Sequence, residues 1–284
     1  MEQQKHPPVM TPPLPTVLVT GGSSGIGLHL AEQFAEHGHH LVLVAPVHHE
    51  LEKIAADLRR KYGVEVLVVA RDLRDGDAAE AVFADLGGRE VGILVNNAGH
   101  GQKGKAWEIP LDEDLSMVDL NIGALLRLTK LFLPTMVAQG RGRILNTASV
   151  AGFEPGPGYA VYSATKAFVL SFSESLATEL SGTGVTVTAL CPGPTDTDFF
   201  PKADMMRTRA FQQANLMAPQ EVARVAYTAL MSGERVVVPG LTNKMMVFFR
   251  RLLPERWQAE LNKLLTDDVG PDEITRRRGE KEDP

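Results

Sequence analysis

The strongest constraint on how this chain can fold is its regular exchange of short, apolar, β-branched runs for longer stretches of helical period. Thr16–Thr20 (TVLVT), Leu41–Ala45 (LVLVA), Glu65–Ala70, Ile93–Asn96, Gly142–Thr147 (GRILNT), Val185–Leu190 (VTVTAL) and Val236–Pro239 read as seven strands. Between them, His29–His37, Leu51–Tyr62, Ala78–Leu86, Asp114–Val137 and Tyr159–Leu180 read as helices. Strands this short and this continuously apolar need cover on both faces, as in a buried parallel sheet. Parallel neighbours need crossover helices, so the alternation predicts a doubly wound α/β sheet with right-handed connections. The expectation is one α/β domain with a mostly parallel, seven-stranded sheet, which 284 residues can fill.

Composition narrows the setting. The net charge is −6, which gives no sign of a nucleic-acid partner. Cys191 is the single cysteine, so no internal disulfide can form, and a reducing, cytoplasmic compartment is expected. No apolar stretch is expected to reach the roughly 20 residues of a membrane span. The opening MEQQKHPPVMTPPLP lacks a continuous apolar core and is broken by prolines, so residues 1–15 read as a disordered lead-in rather than a secretory signal. Residues 16–253 read as the folded domain and 254–284 as a helical extension ending in a polar tail. The eight histidines are scattered or sit in His37–His40 and His48-His49, expected on solvated turns, and no metal site is expected.

Two local patterns carry chemistry. Thr20-Gly21-Gly22-Ser23-Ser24-Gly25-Ile26-Gly27 follows the first strand and opens the first helix. Such a turn lets backbone approach a pyrophosphate, which then meets the free N–H groups and dipole of a helix N-terminus. Gly21 serves the tight turn, Gly25 the close approach of ligand, and Gly27 the packing of helix on sheet. The lysine of a nucleotide-triphosphate loop is missing. The second pattern is Tyr162 and Lys166 in YSATKAF. At i and i+4 they share one helix face, about 5–6 Å apart. A cation within reach favours phenolate, which is expected to draw the tyrosine toward working pH and make an acid/base pair for a carbonyl or alcohol oxygen. Taken alone, either pattern also fits an ordinary glycine turn and a surface helix pair.

Read together, Thr20–Gly27, Asn96-Asn97-Ala98-Gly99, Asn121, Ser149, Tyr162-x-x-x-Lys166 and Pro192-Gly193 occur in order with suitable gaps. Over roughly Thr16 to Leu253 the chain resembles the short-chain dehydrogenase/reductases, in their compact branch, and among them bacterial reductases of broad specificity. The resemblance implies a Rossmann fold, a nicotinamide cofactor, and hydride transfer at a carbonyl or secondary alcohol. It implies Tyr162 as general acid in reduction and base in oxidation. Lys166 would lower the tyrosine pKa and hold the nicotinamide ribose. Ser149, thirteen residues before Tyr162, would hydrogen-bond the substrate oxygen, and Asn121 would hold a proton-relaying water. The cofactor contacts it implies are Gly21, Ser23, Ser24, Gly25, Ile26 and Gly27 at the pyrophosphate, with Tyr162 and Lys166 at the nicotinamide end. Asp72 and Leu73 would meet the adenine, and Asn97, Ala98 and Gly99 would flank the adenosine. Pro192, Gly193, Thr195 and Thr197 would hold the carboxamide and pyrophosphate. Cys191 beside them reads as a small buried spacer.

One position departs from the pattern. The second strand ends in Ala45-Pro46-Val47-His48-His49, with neither the acid that holds a ribose 2′-hydroxyl nor a base in the strand-end positions. Close relatives usually place an arginine where Pro46 stands. The missing acid removes repulsion of a 2′-phosphate, and His48, His49, Ser23 and Ser24 remain within reach. NADP(H) is therefore favoured over NAD(H), with relaxed choice or weakened affinity.

Around the substrate, His100–Trp107, Phe153–Tyr159 and a lid at 199–217 are expected. The lid carries Phe199, Phe200, Met205, Met206 and Met217, which either line an adaptable apolar pocket or pack the lid onto the domain. Lys244–Leu253 (KMMVFFRRLL) concentrates apolar and basic residues. It reads as a cap on the cleft or a subunit contact, with a membrane interface a less favoured third option. Broad apolar faces on the helices at Asn121–Val137 and Tyr159–Leu180 suggest a homodimer or homotetramer. The leading function is an NAD(P)-dependent oxidoreductase acting on an apolar small carbonyl or alcohol. The alternatives are a non-catalytic NAD(P)-sensing regulator on the same fold and a sugar-nucleotide epimerase.

Overall fold

A computed structural model of the chain describes residues 14–213, 216–250, 253–270 and 273–274. Most of the expected lead-in, and the polar tail from 275, lie outside the described residues. The strands are β1 (Thr16–Thr20), β2 (Leu41–Ala45), β3 (Val66–Ala70), β4 (Val91–Asn96), β5 (Gly142–Thr147), β6 (Val185–Leu190) and β7 (Val236–Val237). They form one sheet in the order β3-β2-β1-β4-β5-β6-β7, with each pair parallel. This is the doubly wound Rossmann arrangement that the alternation predicted.

Strand alternation sends successive side chains to opposite helical layers. Val17 and Val19 join Leu30 and Phe34 of α1 (Gly25–Glu36), Leu51 and Leu58 of α2 (His48–Tyr62), and Leu230 of α9 (Pro219–Ser232). Leu18 faces the other way. It joins Val82 of α3 (Ala78–Asp85), Leu128 and Phe132 of α5 (Leu125–Gln139), and Leu176 of α6 (Ala160–Glu179). Both layers are closed to solvent at their centres, with Val17, Leu18, Val19, Leu30, Phe34 and Val82 fully buried. At about 25 cal/mol per Å² of apolar surface removed from water, two such layers supply the main drive to fold.

Several local expectations shift. The glycine turn itself begins helix α1, so the helix starts at Gly25 rather than His29. His48 and His49 form the first turn of α2 instead of a solvated turn, although both remain exposed. His39 is buried: its Nδ1 donates to the Pro15 carbonyl at 2.9 Å, its ring meets Phe34 edge-on, and burial lowers its pKa.

The long helical region expected from Asp114 starts at Leu111, directly after Pro110, as α4 (Leu111–Val118). It then passes through a π-helical turn, Asp119–Ala124, before α5. By length and composition this 29-residue stretch, Leu111–Gln139, is apolar enough to cross a bilayer, contrary to the expectation. Leu128, Phe132 and Met136, however, are core residues of the sheet's second layer.

Beyond β6 lie two one-turn helices, α7 (Phe199–Lys202) and α8 (Arg209–Gln212), in the expected lid. After β7 come α10 (Leu241–Arg250) and α11 (Glu255–Thr266).

Candidate active site

Strand order reverses between β1 and β4, whose neighbours continue in opposite directions from that pair. A crevice at the C-terminal ends of the strands is where a doubly wound sheet seats ligands. The glycine turn lies there. Gly21 has φ +65, a left-handed conformation that favours glycine. A Cβ on Gly27 would fall 2.1 Å from the Gly21 carbonyl oxygen, so helix and turn approach each other as only glycine allows. Ser24 stands at the N-cap of α1 in extended backbone, and its hydroxyl makes no capping bond. No acidic residue lies in the first turn of α1 to repel an anion. Ser23 and Ile26 complete this turn.

Thr20 ties the turn to the next strand. Its hydroxyl donates to the Val95 carbonyl and accepts from the backbone N–H groups of Asn97 (2.9 Å) and Ala98 (3.0 Å). The Asn97 amide donates to the Thr20 carbonyl and accepts from the Thr147 hydroxyl. From β6, the loop with Pro192, Gly193, Thr195 and Thr197 crosses toward the same turn. The Thr197 side chain lies where a Cβ on Gly25 would meet it at 3.2 Å. Thr195 pairs with Met217 in an isolated parallel bridge. Gly193 is pressed by Asn243 of α10, a neighbour that no sequence motif signalled. Cys191 is buried, as its reading as a spacer required.

At the other expected cofactor contact, the Asp72 carboxylate is engaged by Arg74 through its backbone N–H and guanidinium, which holds it below the usual carboxylate range. Leu73 is buried in the core layer beside α3 rather than displayed at the surface.

The catalytic candidates converge at the ends of β4 and β5. A buried polar ladder fixes α6 to the sheet. Asn96 Nδ2 donates to Asn146 Oδ1 (2.9 Å), Asn146 Nδ2 to Ser173 Oγ (2.9 Å), and Ser173 Oγ to the Val169 carbonyl (2.6 Å). Breaking one member would leave its partner unsatisfied at about 1–3 kcal/mol. Held this way, α6 places Lys166 Nζ 2.8 Å from the Thr147 carbonyl oxygen and 5.8 Å from the centre of the Tyr162 ring. Gly99 lies beside the ammonium; a Cβ there would meet Nζ at 3.3 Å. Ser149 begins a short 3-10 turn, Val150–Phe153, and its hydroxyl accepts from the Ala151 N–H.

Asn121 sits in the π-helical turn and is 2% exposed. Such a turn adds a residue locally and turns a side chain that a regular helix would aim elsewhere. Its Oδ1 accepts from the His100 N–H (3.0 Å), while Nδ2 donates to the His100 carbonyl (2.9 Å) and the Thr165 hydroxyl (3.0 Å). Asn121 therefore locks the backbone beside Gly99 and joins it to α6.

Electrostatically, the pair departs from the expectation based on spacing. Burial pushes the Tyr162 phenol up to about 12, opposed by the nearby Ser149 hydroxyl. Burial also brings Lys166 down to about 8. The lysine was expected to draw the tyrosine toward neutrality. In the structure its charge meets the Thr147 carbonyl first, and desolvation dominates both groups. Tyr162 is thus a protonated acid at neutral pH. Phe199 of the lid lies over it, ring centres 5.2 Å apart, and Tyr159 flanks it at 6.2 Å. Phe200 and Met205 instead pack the lid internally with Phe211.

The fold brings the glycine turn and the polar cluster together at the strand ends, and comparison with known proteins identifies the family. Residues 15–208 match the sequence profile of short chain dehydrogenases. NADP-dependent 3-hydroxy acid dehydrogenase YdfG of Salmonella typhi is 34% identical over 226 residues, covering 74% of this chain and 87% of the relative. Very-long-chain 3-oxoacyl-CoA reductase of Rattus norvegicus is 36% identical over 179 residues, and there the match spans 62% of this chain and 57% of the relative's length. The short-chain dehydrogenase from Sphingobium yanoikuyae in complex with NADPH superposes with a TM-score of 0.76 at 38% identity, covering 84% of this chain and 94% of that one. The chain belongs to the short-chain dehydrogenase/reductase family, oxidoreductases that act on CH–OH and carbonyl groups with NAD(P).

Proposed function

We propose that this protein is an NADP(H)-preferring reductase of a carbonyl on an apolar small molecule, with Tyr162 as its proton donor. The observation that carries this reading is the convergence of Tyr162, Ser149, Lys166 and Asn121 at the strand ends beside the glycine turn. The residues present fit a dinucleotide: Gly21 takes the left-handed φ of a tight turn, Gly27 lets α1 pack against that turn, and α1 offers an N-terminus without an acid.

When bound, the nicotinamide cofactor supplies the hydride. The chain's own residues do the rest. The Gly21–Gly27 turn with Ser23 and Ser24 would bind the pyrophosphate. Loop residues Pro192, Gly193, Thr195 and Thr197 would seat the far end, while Asn97, Ala98, Gly99, Asp72 and Leu73 form the adenosine side. Ser149 would hydrogen-bond the substrate oxygen as negative charge grows there. Tyr162, protonated at neutral pH, would donate its hydroxyl proton to that oxygen. Lys166 would stabilise the phenolate left behind, and Asn121 keeps the neighbouring backbone in register. Phe199 and Tyr159 give the site an apolar wall, which supports an apolar substrate.

Preference for NADP(H) is supported by Pro46, which carries no acid to repel a 2′-phosphate. The imidazoles of His48 and His49 stand in the first turn of α2, where the N-cap residue makes no side-chain bond. Two relatives named above use NADP or hold NADPH. A cytoplasmic setting and a homodimer or homotetramer belong to the same reading.

The deciding experiment follows absorbance of NADPH and NADH separately against aldehydes, ketones and diketones. Faster turnover with NADPH and with the more apolar carbonyls is expected. Binding of both cofactors without turnover of any carbonyl would refute catalysis in favour of a sensor.

A further inference from the structure

Helix α11 is inside out. Its buried positions are polar: Gln258 (8% exposed), Asn262 (1%) and Thr266 (4%), at i, i+4 and i+8. Gln258 Nε2 donates to the Leu253 carbonyl (2.8 Å), and the other two side chains hold backbone of the loop after β5. Asn262 Nδ2 donates to the Pro155 carbonyl (2.8 Å) and Thr266 Oγ1 to the Pro157 carbonyl (2.9 Å). The outward positions are apolar: Trp257 (55% exposed), Leu261, Leu264 (52%) and Leu265. An ordinary surface helix has the opposite polarity.

Helix α10 repeats the pattern in register. Leu241 (74% exposed), Met245, Phe248 (62%) and Phe249 occupy the same i, i+4, i+7, i+8 spacing and face solvent, while Val247 is buried. The two helices sit at the same end of the molecule, α10 packing on the Val150–Phe153 turn and α11 bonding the loop that follows it. Eight large apolar side chains on two successive helices exceed the scattered exposure of an ordinary surface.

Charge selects the occupant. Among the described side chains of the two helices, Lys244, Arg256 and Lys263 are exposed against Glu260, a local excess of two positive charges in a chain of net charge −6. A second copy docked face to face would bring like charges together. An anionic lipid surface satisfies both the apolar stripes and the positive excess, and an apolar face plus basic residues is the pair of signals that interfacial helices use. We infer that α10 and α11 form a docking surface for an anionic membrane. The surface is separate from Tyr162 and adjoins the lid: the Asp268 carboxylate just past α11 pairs with Lys103, and Arg209 of α8 bonds the Asp267 carbonyl through its N–H.

Flotation of the full chain with vesicles tests this. Vesicles of equal parts phosphatidylcholine and phosphatidylglycerol are expected to carry the protein at least about tenfold better than phosphatidylcholine alone, with the difference lost in high salt. The double variants Phe248→Ser/Phe249→Ser and Trp257→Ser/Leu264→Ser should lose flotation while keeping the parent's melting temperature and circular dichroism, since these side chains are exposed. Lys244→Glu/Lys263→Glu should lose only the preference for the anionic lipid. Absence of flotation on the anionic vesicles would overturn the inference, as would apolar variants that float like the parent. A drop in oligomeric size of the Trp257→Ser/Leu264→Ser variant by sedimentation velocity would also overturn it, assigning the face to a second copy.

Discussion

The ring of Phe199 lies over the ring of Tyr162, centre to centre 5.2 Å, with Gly101 pressed against both. A Cβ on Gly101 would meet Phe199 Cζ at 2.8 Å and Tyr162 Cδ2 at 3.0 Å, so the two rings touch only because residue 101 has no side chain.

Replacing Phe199 by alanine should therefore change which carbonyls fit. The contact is worth about 0.5–1.5 kcal/mol as an aromatic pair, and its loss opens space above the phenol. kcat/KM for small aldehydes should fall by about threefold to tenfold, while bulky ketones gain. Equal losses for small and bulky substrates would instead assign Phe199 to lid packing alone.

Tyr162→Phe should remove turnover and spare the cofactor. Loss of a positioned acid lowers rates by about 10²–10⁴. NADPH titration by fluorescence should give nearly the parent affinity. Ser149→Ala should fall by about 10²–10³, as for loss of one hydrogen bond to a developing oxyanion. A Tyr162→Phe enzyme as fast as the parent would end the proposed mechanism.

Asn121→Ala should lower both stability and rate. It leaves the N–H and carbonyl of His100 without their side-chain partner at about 1–3 kcal/mol each, and uncouples the loop from Thr165 on α6. Asn121→Asp keeps the acceptor for the His100 N–H and loses both donors, so its melting temperature should lie between those of alanine and parent.

Lys166 carries a stability penalty that depends on pH. Its folded pKa, about 8, lies below the ordinary 10.5, so the unfolded chain binds more protons between those values and stability rises as pH climbs through that window. The penalty is fully present below about pH 8. Lys166→Met should abolish turnover yet raise stability at pH 7. The upper bound is about 3 kcal/mol, less about 1 kcal/mol for the lost bond to Thr147. Chemical denaturation at pH 7 and pH 10 should show the parent gaining on the variant as pH rises. The opposite trend would mean the ammonium is not desolvated.

Much of the architecture was legible because strand periodicity and the glycine spacing are local signals. All seven strands were located, and Tyr162, Lys166, Ser149 and Asn121 do meet. What the sequence concealed depends on three dimensions. The π-helical turn at Asp119–Ala124 leaves no compositional mark. Desolvation of Tyr162 and Lys166 comes from neighbours far away in the chain, so their spacing suggested attraction where burial prevails. His48 and His49 looked like turn residues because nothing in Pro46-Val47 announces a helix start. Leu73 was read for its place after Asp72, and its burial follows only from α3 closing over it. The reversed polarity of α11 is visible only once Pro155 and Pro157 are seen to offer their carbonyls to it.

Thr197 rests against Gly25, and two residues earlier Thr195 is stitched to Met217 at the entrance to α9. A nucleotide pressing on the glycine turn would push one end of a short tether whose other end borders the lid. Occupancy should then be felt as slower amide exchange and slower proteolysis across residues 199–217. If that protection appears, arrival of the nucleotide would tighten the cover over whatever binds second.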